Sequence, residues 1–192
     1  MIKTPKMTES LARKLISEDN DACSLVYPLI RDELETYDYD DYDLPFPNEF
    51  LFFEKDYLEY YVDIIERCIP SRKIIDIGCE NGIQSYIFED YDYIGIDCIK
   101  YKWFRDKGNY INGFFQDIDL SFDDSIVISN MSLGYFNNWG NGISDEEIAE
   151  KLSSCRWLYI GTTPELLTLL KPHFKKCEYF KNDGFPRVYL EK

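Results

Sequence analysis

Histidine is almost absent from the chain, and His173 stands alone. The six cysteines, Cys23, Cys68, Cys79, Cys98, Cys155 and Cys177, include no Cys-x-x-Cys pair and share no ligand spacing with that histidine. A tetrahedral Cys/His zinc set has no basis in this pattern, and no metal site is expected. Free buried thiols in a reducing compartment are the reading that remains. No apolar run approaches the ~18 residues that a membrane helix needs. The opening "MIKTPKMTES" carries no apolar run behind its lysines, which predicts no signal peptide and a cytoplasmic protein with no membrane partner. Positive charge is scarce too: 21 Lys and Arg face 36 Asp and Glu, a net charge of -15 at pH 7. Affinity for a duplex is built from lysines and arginines that displace counterions, so this acidity argues against a nucleic-acid substrate. It suits a small molecule, a basic protein partner, or a protein that imitates nucleic acid in order to block something else.

What the chain does have is apolar and aromatic content. Apolar residues make up 45% and aromatics 17% of 192 residues, enough for one packed domain with an appendage. Two regions are expected. The first, 1–70, reads as helical. Thr8 is placed to cap a helix through "ESLARKLISED", a second helix covers "DACSLVYPLIRDELET", and a third runs over "EFLFFEKDYLEYYVDIIERCI", from Glu49 to Ile69. Pro28 kinks or splits the second of these. The aromatic stripe of the third is either core packing or one wall of a substrate pocket. Before it, "YDYDDYDLPFPN" at 37–48 reads as an extended Tyr/Asp linker with a solvated acidic face.

The second region, 71–192, alternates between strand and helix patterns. Strands are expected at 73–77, 93–97, 110–115, 125–129 and 156–160, and helices at 82–89, 100–107, 144–152 and 164–174. Ser144 and Glu147 have capping-box spacing. Two last runs, "KKCEYF" and "RVYLEK", flank "KNDGFP", an Asn-Asp-Gly turn signal for a hairpin. Such alternation implies an α/β fold with a seven-stranded, mostly parallel sheet and one antiparallel strand from the closing hairpin.

The most informative stretch is "KIIDIGCENGIQSYIF", a strand ending in a glycine turn. A dinucleotide fingerprint needs glycines at 78, 80 and 83, where this chain has Gly78, Glu80 and Ile83. No Gly-Lys-Ser/Thr phosphate loop is present. The Glu80 carboxylate would oppose a pyrophosphate, so a nucleoside without phosphate, and preferably with positive charge, fits better. "DIGCENG" resembles the first motif of the class I S-adenosylmethionine-dependent methyltransferases, through Asp76, Gly78 and Gly82, with Cys79 inside the turn. "YIGIDCI" resembles the family's next motif, with Asp97 lying 19 residues after Gly78. "GFFQDIDLSFDDSIVISN" resembles the third and fourth motifs. The resemblance covers 73–130, in order, and implies a Rossmann-like methyltransferase fold with S-adenosylmethionine as cofactor. It implies that Asp97 holds the ribose hydroxyls and that Gln116 and Asp117 lie at the adenine. It puts Ser129 and Asn130 at the end of the fourth strand, and has Asp76 accept backbone hydrogens in the turn. Each position also has a plainer reading: Gly78 and Gly82 as turn formers, Asp97 as a helix cap, Asp117 as a solvated loop acid, Asp76 as an ordinary buried acid.

After the fourth strand comes Asn130-Met131-Ser132-Leu133, without the Pro-Pro-aromatic motif of the amino-methylating DNA enzymes. Asn130 and Tyr135 are the candidate catalytic residues. Tyr135, Phe136 and Trp139 either form an aromatic wall near a cation or anchor the loop. Two functions stay open: methyl transfer to a small-molecule or protein acceptor, or a non-catalytic binding protein on the same fold. The second would act as an inhibitor or nucleic-acid mimic, and its acidic surface would capture a basic partner.

Overall fold

The computed structural model describes residues 6–18, 47–80, 82–99, 109–134, 143–181 and 184–192, with backbone alone for 47–54. The expected helices over 21–36 and 100–107 lie outside these residues, as does most of the Tyr/Asp segment. The chain divides into two compact units: 1–70 with 81–90 and 100–108, and 71–80 with 91–99 and 109–192.

In the first unit, α1 (Glu9–Ser17) starts where Thr8 accepts the Leu11 N–H at 3.3 Å. Its buried Ala12 and Leu15 sit at i and i+3 on one face. Arg13, on the wet face, bonds Glu9 and reaches Glu66 of α2 (Pro47–Glu66). That helix begins at Pro47, inside the segment expected to be a linker; proline is suited to the first helical turn, where its missing N–H has no partner to lose. Its buried aromatics form edge-on contacts, Tyr57 with Tyr60 at 6.0 Å and Tyr61 with Phe88 at 6.0 Å. The helix closes in a Schellman turn. Cys68 takes the left-handed conformation (φ 50°), its N–H bonds Ile65 O, and the Ile69 N–H bonds Ile64 O. Pro70 then prevents the helix from resuming.

The second unit is the sheet. Its strands are β1 (Lys73–Ile77), β2 (Asp92–Asp97), β3 (Tyr110–Asn112), β4 (Ile126–Asn130), β5 (Trp157–Gly161), β6 (Lys176–Lys181) and β7 (Arg187–Glu191), in the order β3-β2-β1-β4-β5-β7-β6. All neighbours are parallel except β7, which is antiparallel to both β5 and β6. Ile75, Ile77, Val127, Leu158, Ile160, Val188 and Leu190 point to one face. There they pack with Ile148, Ala149 and Leu152 of α3 (Asp145–Leu152) and Leu166, Leu167 and Leu170 of α4 (Pro164–Leu170). The other face carries Ile74, Asp76, Ile126, Ile128, Asn130, Tyr159 and Tyr189, also buried. β4 and β5 are buried at every position, as central strands of the sheet. α3 starts with the expected capping box, Ser144 with Glu147.

Three expectations need correction. The helix over 82–89 is only a 3₁₀ turn, Ile83–Tyr86, followed by a further turn. Its Ile83, Tyr86, Ile87 and Phe88 are weak helix formers, and Glu89, Asp90 and Asp92 would oppose the negative end of a helix. The strand over 110–115 stops at Asn112, and Phe115–Asp117 is a second 3₁₀ turn. The helix over 164–174 ends at Leu170, because Pro172 follows and turns the chain into a 3₁₀ step at Lys171–His173. His173 is exposed there.

Candidate functional site

Strand order reverses between β1 and β4, and ligands in open α/β sheets sit beyond the carboxyl ends of strands at such a point. At the end of β1, the Gly78 and Cys79 N–H groups both donate to Ile96 O of β2, at 2.8 and 3.2 Å. Gly78 (φ 75°) and then Glu80 (φ 50°) are left-handed, which turns the Glu80 N–H onto Asp97 Oδ2 at 2.9 Å. Asp97 Oδ1 accepts the Ile99 N–H at 2.8 Å. β3 secures this corner: the Gly113 N–H and the Asn112 side-chain amide both donate to Asp97 O, at 2.9 and 3.0 Å. Asp97 is buried, and burial raises its pKa above the ordinary carboxylate value; the Ile99 and Glu80 N–H groups offset part of that. Cys79 is buried beside it, and its thiol is pushed well up by burial and by the negative Asp76 and Asp97. The carboxyl groups gathered at this end of the sheet suit a cation better than an anion.

Asp76 is fully buried and accepts from Tyr93 Oη at 2.5 Å. Asp97 accepts backbone hydrogens of the turn and of the segment after β2. Gly82 (φ 71°) belongs to the other unit. Among the described residues the turn after β1 leads into the Ile83–Tyr86 3₁₀ turn and not into an α-helix.

The β3–β4 connection brings Gln116 and Asp117 to the same sheet edge. Phe115 is buried in the core, Gln116 is partly buried and Asp117 is exposed. Lys151 of α3 lies beneath them, donating to Gln116 O at 2.6 Å and Ile118 O at 2.9 Å.

Beyond β4 the construction differs. Ser129 is fully buried and donates to Ile77 O at 2.9 Å, a bracket between β4 and β1. Asn130 is buried at the strand end, and its Oδ1 lies 2.8 Å from where a Cβ on Gly161 would stand; Arg187 Cγ lies 3.2 Å from the same point. Asn130 and Arg187 therefore converge over Gly161, the residue that faces each of them in register. Met131 (φ 60°) and Gly134 (φ 80°) bend the chain away, and Thr162 Oγ1 donates to Leu133 O at 2.9 Å to hold the bend. Ser132 Oγ donates weakly to Gly78 O and Asn130 O, at 3.4 and 3.3 Å. A Cβ on Gly78 would stand 1.8 Å from that hydroxyl. Ser132 thus occupies the space on the Cβ side of Gly78. Tyr135, Phe136 and Trp139 lie outside the described residues.

The structure thus gathers Gly78, Cys79, Asp97, Gln116, Asp117, Ser129 and Asn130 at one edge of the sheet unit. Sequence reasoning missed Lys151, Ser132, Gly161, Thr162 and Arg187. Only "GTTP" carried a signal: small residues at a strand end before Pro164, with Thr163 capping Leu166. Among the described residues, no group of three or more His, Cys, Asp or Glu is placed to hold a metal, and no helix is long and apolar enough to cross a membrane.

No family model matches the chain, and no curated protein matches it in sequence. Solved structures do match. Magnesium protoporphyrin IX methyltransferase (ChlM) from Synechocystis PCC 6803, with bound SAM, superposes with a TM-score of 0.50 at 13% identity, over 85% of this chain and 94% of that one. The methyltransferase fold is shared. The bifunctional kinase-methyltransferase WbdD superposes with a TM-score of 0.51 at 13% identity, over 71% of this chain. The present chain spans only 39% of WbdD. Likeness at this identity establishes the class I methyltransferase fold, with its 3-2-1-4-5-7-6 sheet, and nothing of substrate.

The residues fit the nucleoside end of the cofactor this fold implies. Each Asp97 oxygen accepts one backbone N–H and the Cys98 side chain also bonds the carboxylate, which with about four acceptor sites keeps capacity for a ribose hydroxyl. The negative Asp76 and Asp97 suit a sulfonium.

Proposed function

We propose that the chain binds S-adenosylmethionine at the carboxyl ends of β1 and β2 and transfers its methyl group to a small-molecule or protein acceptor. The observation that carries this is the buried Asp97 carboxylate, held by the Glu80 and Ile99 N–H groups at the strand-order reversal. Asp97 takes the two ribose hydroxyls. Asp117, with Gln116, takes the adenine amino group. Asp76 and Asp97 supply the field that favours a cation over a pyrophosphate. When bound, the cofactor supplies a methyl group already activated on sulfur. What remains for the protein is to align a nucleophile with that methyl and exclude water. Asn130 and Tyr135 are the candidates on the acceptor side, where an amide oxygen accepts a proton-bearing donor. The net charge disfavours a nucleic-acid acceptor.

Calorimetric titration with S-adenosylmethionine, S-adenosylhomocysteine and NAD tests the reading. Micromolar affinity for the first two and none for NAD is expected. Equal binding of NAD, or binding of none, overturns it. One observation favours the second reading, a non-catalytic protein on this fold: Ser132 occupies the space on the Cβ side of Gly78. On that reading no adenosyl ligand binds, and the acidic surface captures a basic partner in a salt-dependent way.

A further inference from the structure

Lys151 is a cation placed where the core offers it little. Burial lowers its pKa, while Asp117 and Asp119 pull the other way. Its Nζ lies 5.9 Å from the Phe115 ring centroid and 5.8 Å from that of Phe122. Two of its three N–H bonds go to the carbonyls of Gln116 and Ile118, the residues flanking Asp117. The turn they hold has Phe115 anchored in the core and Ile118 packed against it, and the Leu120 N–H also donates to Ile118 O at 3.0 Å. Its own bonds are Asp117 N–H to Phe114 O at 3.0 Å and Ile118 N–H to Phe115 O at 3.3 Å, and a three-residue 3₁₀ turn is weak by itself. An ammonium that captures carbonyls at both ends of a peptide pair fixes the peptide planes between them. It thereby fixes the directions in which Gln116 and Asp117 leave the backbone. Lys151 sits in the last turn of α3, whose negative end tolerates the charge.

We propose that Lys151 is a positioning residue that sets base preference: it pins the 115–118 turn so that Asp117 reads the exocyclic group of the bound nucleoside. This rests on the adenosyl reading of the site. A pinned carboxylate accepts from the amino group of adenine and repels the carbonyl oxygen that replaces it in hypoxanthine. An unpinned one swings away from both. Packing alone predicts no difference between the two bases.

The test compares S-adenosylhomocysteine with S-inosylhomocysteine by calorimetry. The unaltered protein is expected to prefer the adenine compound by roughly 10- to 100-fold, the size of one charge-assisted hydrogen bond. Lys151→Met is expected to reduce that ratio to about twofold, mainly by weakening the adenine compound. Lys151→Arg, which keeps charge and donors, is expected to restore part of it. Lys151→Gln carries the same comparison if the methionine variant does not fold. In Asp117→Asn, adding Lys151→Met is expected to change the ratio no further. A Lys151→Met protein with the full preference overturns the proposal while leaving the adenosyl reading intact. Failure of the unaltered protein to bind either compound overturns both.

Discussion

The two halves of the sheet's carboxyl edge are built by different means. At β1 and β2, backbone N–H groups converge on one carboxylate, Asp97, and backbone carbonyls brace the turn. At β4 and β5, side chains do the bracing: Ser129 on Ile77 O, Thr162 on Leu133 O, Asn130 and Arg187 over Gly161. The first half rests mainly on one acid, one glycine and a spacing, with the Asn112 amide and the Cys98 side chain as its side-chain supports. The second depends on the identity of every side chain in it. On the proposed function the first half would hold the cofactor and the second would face the acceptor, a division that suits one fold serving many acceptors.

Four changes break or sharpen this contrast. Gly78→Val is the most damaging, because it combines a left-handed backbone with the 1.8 Å encounter with Ser132. About 2–5 kcal/mol of stability is lost, the sum of the backbone and overpacking terms. Urea unfolding measures this, and adding Ser132→Gly is expected to recover only the packing share. Asp97→Ala comes next. It weakens S-adenosylhomocysteine by about 1–3 kcal/mol in calorimetry, with a smaller change in melting temperature. Thr162→Val removes the bond to Leu133 O and keeps the shape. It lowers stability by about 1 kcal/mol and leaves nucleoside affinity unchanged, so a large affinity loss would join the two halves that the contrast separates.

The smallest effect is a pH dependence. Asp97 has a folded pKa above its ordinary value of 3.8. The stability tied to its proton is therefore full below that value and lost as pH rises through the raised one. Asp97→Asn should flatten the melting-temperature profile across that window. Ligand affinity in the unaltered protein should fall as pH drops through the same window, since the protonated acid loses acceptors.

The sheet was legible because its strands are apolar runs bounded by glycine, proline and acids, and because the order of four weak motifs is stronger than any one. β1 was read to the residue, since a lysine and a glycine turn bound it. The 3₁₀ turns at 83–86 and 115–117 were not legible: periodicity over four residues does not separate a turn from a helix start. Lys151 was hidden by its own helix pattern, where a lysine in the last turn reads as a solvated cap. Ser132 and Gly161 were hidden because each matters only through a residue about 30 or more positions away in the chain. The segment after β4 gave no periodicity to read.

The central claim is a location: an adenosyl ligand against the ends of β1 and β2. Amide hydrogen exchange with and without S-adenosylhomocysteine tests it most directly. The account predicts slowed exchange at Gly78, Glu80, Ile99 and 117–118, with little change at Ile148–Leu152 on α3. Slowing confined to other segments, with those amides unchanged in the presence of saturating ligand, would contradict it.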